Sequence, residues 1–295
     1  MAIVLAVSGA PVAGAATILD PLDSPGSDPE AYRAEASRFS SVGQVAGGGL
    51  AGSGVFIGGR WVLTAGHVAI GKAGGSFVVG GTSYPIASAV AHPDFSFATL
   101  HADIGLLLLA SDVVGVTPGL LYDLPDSSSL RGRTATWVGH GLSGTGRTGE
   151  QVPPEFRAFT NVIDVVGLVS TPPYTPPTTA FVSDFDRPGG AANAPLSDPE
   201  PTTLEGGLAA GDSGGGVFLA IGGAEYLVGL NSYQAAFSEI SSGAYGTING
   251  ATNVDLFLPW IAGRTGIAPV PEPTAALLAA GGLVMMSLRR RPWFT

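Results

Sequence analysis

The hexapeptide Gly211-Asp212-Ser213-Gly214-Gly215-Gly216 constrains this chain more than any other stretch, because it sets one hydroxyl among residues that are either glycine or carboxylate. Glycine has no Cβ, so the backbone can turn sharply here and aim its N–H groups at one point. A serine at such a turn is what a nucleophile needs beside an oxyanion hole, where donors meet developing negative charge. A glycine-rich turn that merely holds a serine is the plainer reading in a chain with 45 glycines among 295 residues. What else the chain carries decides between them. A serine hydroxyl is a weak nucleophile until a base takes its proton and a carboxylate orients that base. The four histidines, His67, His92, His101 and His140, all precede Ser213.

That order removes one candidate class. Gly211 to Gly215 also fits the G-x-S-x-G elbow of α/β-hydrolases, in which the histidine follows the serine. The order left is His, Asp, Ser. Gly54-Val55-Phe56-Ile57, Gly58-Gly59-Arg60 and Trp61-Val62-Leu63-Thr64 read as two strands joined by a tight glycine turn, and the second runs into Ala65-Gly66-His67. A histidine at the end of a buried strand is held by rigid structure yet open on one side. His92, in His-Pro-Asp, reads as a turn residue, and His140, between glycines after Trp137, reads as structural. Ten aspartates lie between His67 and Ser213, most of them in polar stretches. Asp103 differs, because it precedes the apolar run Ile104-Gly105-Leu106-Leu107-Leu108-Leu109. A carboxylate at the mouth of a buried strand needs a partner, and an imidazole N–H supplies one. Asp94 is its nearest rival.

Abundant glycine and proline, few helix-period stretches and short apolar runs between turns favour an all-β domain. The chain has no cysteine, which excludes a disulfide framework and thiolate metal sites, and its net charge of −10 argues against nucleic acid as a partner. No metal ion or other cofactor is expected. Residues 1–16 read as a secretory signal, apolar from Ala2 to Val7 and with Ala13-Gly14-Ala15 offering small residues for cleavage; a buried N-terminal strand is the other reading. Residues 17–40 read as a lead-in segment, solvated from Asp20 to about Ser40.

With these residues in hand, the chain resembles the trypsin-like serine proteases of the chymotrypsin fold over about residues 40–265. The resemblance rests on Gly52-Ser53-Gly54-Val55-Phe56-Ile57, Trp61 to His67, Asp103-Ile104-Gly105-Leu106-Leu107 and Gly211 to Gly215, then on Leu227-Val228-Gly229-Leu230, Ser242-Gly243-Ala244-Tyr245 and Trp260-Ile261. It implies two six-stranded Greek-key barrels with the active site in the cleft between them, and a short C-terminal helix. It implies His67 as general base, Asp103 as its orienter, Ser213 as nucleophile and the N–H groups of Gly211 and Ser213 as the oxyanion hole. It places the substrate pocket at Gly207, Leu208, Ser232, Gln234 and Gly243. No acidic residue stands at the pocket floor, so an uncharged residue is expected before the scissile bond; Glu205 is the one residue that would upset this by turning inward.

Some positions depart from the family pattern. Val68 stands where a cysteine is usual, and Gly216 where a proline often closes the serine motif. The stretch Arg38 to Val45 holds no start whose freed amine would pair with Asp212, so a buried Asp212 must find another partner. Residues 170–206, rich in proline, read as a long surface loop.

The far end, residues 266–295, is a separate unit. Val270-Pro271-Glu272-Pro273 precedes the apolar stretch 274–288 and then Arg289-Arg290-Arg291. As a helix, 274–288 spans roughly 22 Å, a short membrane anchor. The order resembles a PEP-CTERM sorting signal, which implies a C-terminal processing enzyme in the membrane and delivery to the cell surface or extracellular matrix of a Gram-negative bacterium. The expectation is an exported, monomeric serine endopeptidase acting on proteins or peptides. An inactive surface-binding module on the same fold is the alternative, and an esterase on another fold is disfavoured by residue order.

Overall fold

Short apolar runs bounded by glycine turns become strands throughout the computed structural model, which describes residues 3–6, 16–167, 176–189, 201–237 and 240–270. Strands β1 (Ile3–Ala6) and β2 (Thr17–Ile18) precede helix α1 (Pro29–Ala36). Then come β3 (Val42–Ala46), β4 (Gly52–Gly58), β5 (Trp61–Thr64), the single turn α2 (Gly66–Ala69), β6 (Ser76–Val79), β7 (Thr82–Ala91) and β8 (Gly105–Leu109). The second half carries β9 (Leu120–Leu121), β10 (Thr134–Gly139), β11 (Leu142–Thr145), β12 (Gly149–Pro154), β13 (Arg157–Val162), β14 (Val165–Val166) and β15 (Ala180–Asp184). It ends with β16 (Gly206–Gly207), β17 (Gly216–Ile221), β18 (Ala224–Phe237), β19 (Ile248–Asn253) and helix α3 (Leu258–Thr265).

The first half closes into a barrel in the order β3-β4-β5-β8-β7-β6. The expected β4–β5 hairpin is there, turning through Gly58 (φ +133°) and Gly59 (φ +56°). Val45, Phe56, Val62, Phe77, Leu107 and Leu109 fill its lumen. In the second half the order β13-β10-β17-β18-β19-β15-β14 makes a sheet that curls around Trp137, Phe159, Phe181, Val217 and Val228. Trp137 and Phe159 face each other across β10 and β13 with rings stacked 5.9 Å apart. The fold is mostly β, a closed barrel with a curled half-barrel and a short helix near the C-terminus, as in the chymotrypsin fold. Among the described residues no ladder joins β13 to β15. There the Asn161 side chain donates to the Asp184 carbonyl at 2.6 Å and to Gly206 at 3.4 Å, taking up acceptors at the seam with a side-chain amide.

Two stretches differ from expectation. The lead-in segment is seated on the fold at its start and along one face of its helix, with exposed residues between. Thr17, Ile18 and Leu19 are buried, with β2 seated between β11 and β16. Helix α1, capped by the Asp28 carboxylate on Glu30 N–H and begun at Pro29, buries Tyr32 and Ala36. Polar composition hid this, because only one face of so short a helix need be apolar. Within 170–206, β15 is a fully buried strand paired with β19 and not surface loop. The apolar stretch 274–288 lies outside the described residues, among which no helix is long and apolar enough to cross a membrane.

A third apolar layer joins the two halves. Leu63 of β5, Ile104, Leu106 of β8, Val138, Phe218, Leu227 and Leu230 pack into one cluster. It fixes the C-terminal end of β5 and the N-terminal end of β8, where His67 and Asp103 attach. Leu63 has no exposed surface, so Leu63→Ala is expected to cost about 2–5 kcal/mol, read as a lower urea midpoint at unchanged slope.

Candidate active site

Asp103 sits two residues before β8 and is completely buried. Ala102 ahead of it holds φ +51°, a left-handed conformation that alanine adopts at a cost of roughly 1–2 kcal/mol, and Thr179 Oγ1 accepts its N–H at 2.9 Å. The result is a carboxylate aimed at α2. Oδ1 accepts the His67 backbone N–H and Oδ2 lies on His67 Nδ1, both at 2.8 Å, and Ser232 Oγ donates to Oδ2 as well. The carboxylate is an acceptor, so the imidazole proton belongs on Nδ1 and the lone pair on Nε2. Sequence reasoning placed Ser232 in the substrate pocket; it lines the pocket and also braces Asp103.

Ser213 lies in a turn that glycine makes possible. A Cβ on Gly214 (φ +84°) would come within 2.1 Å of Thr64 Oγ1 and 2.3 Å of the Ser53 carbonyl, so the turn presses directly on the ends of β4 and β5. Ser53 N–H donates to the Ser213 carbonyl at 2.7 Å, and Ser53 Oγ donates to the Gly211 carbonyl at 2.9 Å. The N–H groups of Asp212, Gly214 and Gly215 are spent on backbone carbonyls. No acceptor among the described residues takes those of Gly211 and Ser213, the two expected oxyanion donors. The Ser213 hydroxyl donates to the Ser232 carbonyl over a long 3.5 Å. It has no hydrogen bond to His67; Ser232 links the two, through its hydroxyl on Asp103 and its carbonyl toward Ser213.

Asp212 answers the question its burial raised. Oδ2 accepts the N–H groups of Ala16 at 3.0 Å and Ala209 at 2.9 Å, and Oδ1 accepts that of Gly141 at 2.7 Å. The partner expected near residues 38–45 is therefore Ala16, well before that stretch. Burial pushes the Asp212 carboxyl up to about 7, against the three N–H groups that favour its charged form. No lysine or arginine among the described residues forms an ion pair with it. A carboxyl raised in the folded state and ordinary in the unfolded state loses stability as pH rises between those two values. With Ala16 still amide-linked, stability relative to Asp212→Asn should fall by roughly 4 kcal/mol between about pH 4 and 7. Urea titrations of both proteins across that range check this, and parallel pH profiles would refute it.

The remaining histidines have structural partners. His140 is stacked on Phe156 at 4.4 Å, and burial pushes it down to about 4, so it stays neutral. His92 packs edge-on against Phe257 and Trp260, and His101 Nδ1 meets Thr178 Oγ1 at 2.9 Å. Asp94 is exposed and 3.9 Å from His92, away from His67.

Beside Ser213 lies a cavity of about 30 Å³, room for only one or two waters, lined by Glu150, Leu208, Ala209, Ala210, Ser232, Gln234 and Ser242. Its walls are stitched together. Gln234 Nε2 donates to the Leu208 carbonyl, while its Oε1 accepts Gly243 N–H at 3.0 Å and lies 2.7 Å from Ser242 Oγ. Glu150 accepts Ala210 N–H at 3.1 Å and Ser242 Oγ at 2.6 Å. Of the expected pocket residues, Leu208, Ser232 and Gln234 are in this lining, and Gly243 and Gly207 are not. Gly207 pairs with Thr17 in β2, and a Cβ there would meet Phe185 and Thr17. Glu205 turns away as well, accepting from Thr202 and Asp186, and burial raises its carboxyl well above the usual range. Besides Asp212 the lining holds a second carboxylate, Glu150, which no local motif marks because it comes from the β11–β12 hairpin.

A closed barrel packs against a curled half-barrel, as in the chymotrypsin fold, with a buried carboxylate–imidazole pair and a serine turn where they meet. The trypsin family model matches residues 29–158, and with the fold this supports a trypsin-like serine protease. The matched span includes His67 and Asp103 and ends before Ser213. No curated protein matches the chain.

Proposed function

We propose that the protein is a secreted or surface-sorted serine endopeptidase that cleaves peptide bonds through an acyl-enzyme. The observation that carries this is the buried Asp103–His67 pair beside a glycine turn that leaves the Gly211 and Ser213 N–H groups unspent. Ser213 Oγ attacks the peptide carbonyl while His67 Nε2 takes its proton. The oxyanion that forms is met by the two N–H groups, each such donor being worth about 10²–10³ in rate. His67 then passes the proton to the leaving amine, and water repeats the sequence to release the acyl group. Export through residues 1–16 and sorting through residues 266–295 belong to the same reading and rest on the sequence pattern.

One observation favours the alternative, an inactive binding module: the Ser213 hydroxyl points to Ser232 and not to His67. Unliganded sites commonly show such long or misaligned contacts, which tighten around substrate. Labelling with a fluorophosphonate decides the matter. We expect one label, on Ser213, abolished in a folded Ser213→Ala protein, and a His67→Ala rate lower by several decades; a label elsewhere, or none, refutes the assignment.

The pocket reading extends this to specificity. A cavity this small, spanned by the Gln234 amide, suits a small uncharged side chain before the scissile bond. Glu150 is already engaged by Ala210 and Ser242. Peptides varied only at that position should be cleaved fastest with alanine or valine, and Gln234→Gly should shift the optimum to larger residues. Fastest cleavage after arginine or lysine would instead make Glu150 a counter-charge, and Glu150→Gln would then remove that preference.

A further inference from the structure

Three peptide planes join Ala210 to Ser213, and each is held at its carbonyl. The Ala210 carbonyl accepts Leu142 N–H at 2.7 Å, and the Asp212 carbonyl accepts Gly215 N–H at 2.8 Å and Asn231 Nδ2 at 3.2 Å. Between them lies the Gly211–Asp212 peptide. Its carbonyl accepts the Ser53 hydroxyl at 2.9 Å, and its N–H donates to the Ala209 carbonyl at 3.0 Å. This middle plane starts from Gly211 at φ +97°, where no Cβ restricts the torsions. The two N–H groups left for the oxyanion sit on either side of it, one on Gly211 and one on Ser213.

Every polar group of Ser53 is engaged. Its N–H donates to the Ser213 carbonyl and its carbonyl accepts Thr64 Oγ1, each at 2.7 Å, so the serine turn and the strand leading to His67 meet on one residue. Its hydroxyl oxygen accepts His140 N–H at 2.9 Å. An N–H can only donate, so the Ser53 proton is left for Gly211, and a hydroxyl that accepts while it donates strengthens both bonds. His140 is in turn steadied by its stack on Phe156 at 4.4 Å. Ser53 has no exposed surface, so bulk water does not compete for the Gly211 carbonyl. The flanking glycines allow the close approach: a Cβ on Gly52 would lie 2.7 Å from the Ser213 carbonyl, and one on Gly54 would lie 2.8 Å from the Val62 side chain.

We propose that Ser53 is a positioning residue for the oxyanion hole: the relay from His140 N–H through the Ser53 hydroxyl to the Gly211 carbonyl keeps the Gly211 and Ser213 N–H groups aimed at one point. This rests on the hydrolase reading above. Ser53 acts through the turn, by fixing the one plane that separates the two donors. Its effect falls on the transition state, because a developing oxyanion needs both donors at hydrogen-bond distance and a ground-state carbonyl does not. The Gly52-Ser53-Gly54 pattern in β4 thus serves a turn whose Gly211 lies 158 residues further along the chain.

Ser53→Ala tests this on one peptide substrate, with activity expressed per site after labelling each protein to completion with the fluorophosphonate. A purely structural loss would lower the number of labelled sites and leave the rate at each unchanged. We expect kcat per labelled site to fall about ten- to a hundredfold while KM stays within about twofold. The affinity of a peptidyl trifluoromethyl ketone, whose oxygen becomes an oxyanion when Ser213 adds to it, should fall by the same factor as kcat/KM. Ser53→Cys keeps the bulk of the side chain and puts a weak donor in place of the hydroxyl, so it should lose rate as well. Thermal melting identifies the folded variants. An unchanged kcat per site in either folded variant overturns the proposal, and so does a kcat loss that the ketone affinity does not follow. A loss confined to Ser53→Ala belongs to packing and overturns it too. A wild-type protein that takes no fluorophosphonate is a separate result, which removes the hydrolase reading and this proposal with it.

Discussion

The carboxylate of Asp212 ties together parts of the molecule that share no strand. Its three N–H partners come from the segment before β2, from the link between β10 and β11, and from the approach to the serine turn. Gly139 and Gly141 exist to admit it, since a Cβ at either would fall within 2.5 Å of its oxygens. A buried carboxylate is costly unless such donors surround it. The same interaction that satisfies it holds Gly211 and Ser213 in the geometry where their N–H groups point outward.

The apolar layer between the halves performs the complementary task. It holds β5 and β8 against the second sheet, and each of those strands delivers one member of the Asp103–His67 pair. Local strain at Ala102 is tolerated because Thr179, His67 and Ser232 over-determine the position of the neighbouring carboxylate. The serine turn then locks onto the barrel through Ser53 and onto β18 through the Gly214–Asn231 hydrogen bond of 2.7 Å. Rigid strand ends position the imidazole, and backbone hydrogen bonds position the hydroxyl.

The pocket shows how one hydrogen-bonding side chain can shape a site more than the residue at its floor. Gln234 reaches across to Leu208 and Gly243, and Glu150 closes the far side through Ala210 and Ser242. Both are polar groups placed in a confined space, so each is matched donor to acceptor. Substrate must fit what that network leaves open.

Much of this was legible in the residues alone. Apolar runs between glycine turns announced the all-β fold, the run after Asp103 set that aspartate apart from nine others, and residue order alone excluded the α/β-hydrolase elbow. These are local patterns, and burial and turn chemistry make local patterns readable. The partner of Asp212, the carboxylate of the pocket and the buried strand within 170–206 were not. Ala16 lies 196 residues from Asp212, Glu150 lies 60 from Ala210, and β15 is a strand because β19 pairs with it. Each depends on contact between distant stretches of chain, which leaves no periodicity or motif behind. The sequence determined which groups could do chemistry. Only the tertiary fold decided which of them meet, because a buried polar group is costly without a partner, and that partner lies wherever in the chain the fold brings it.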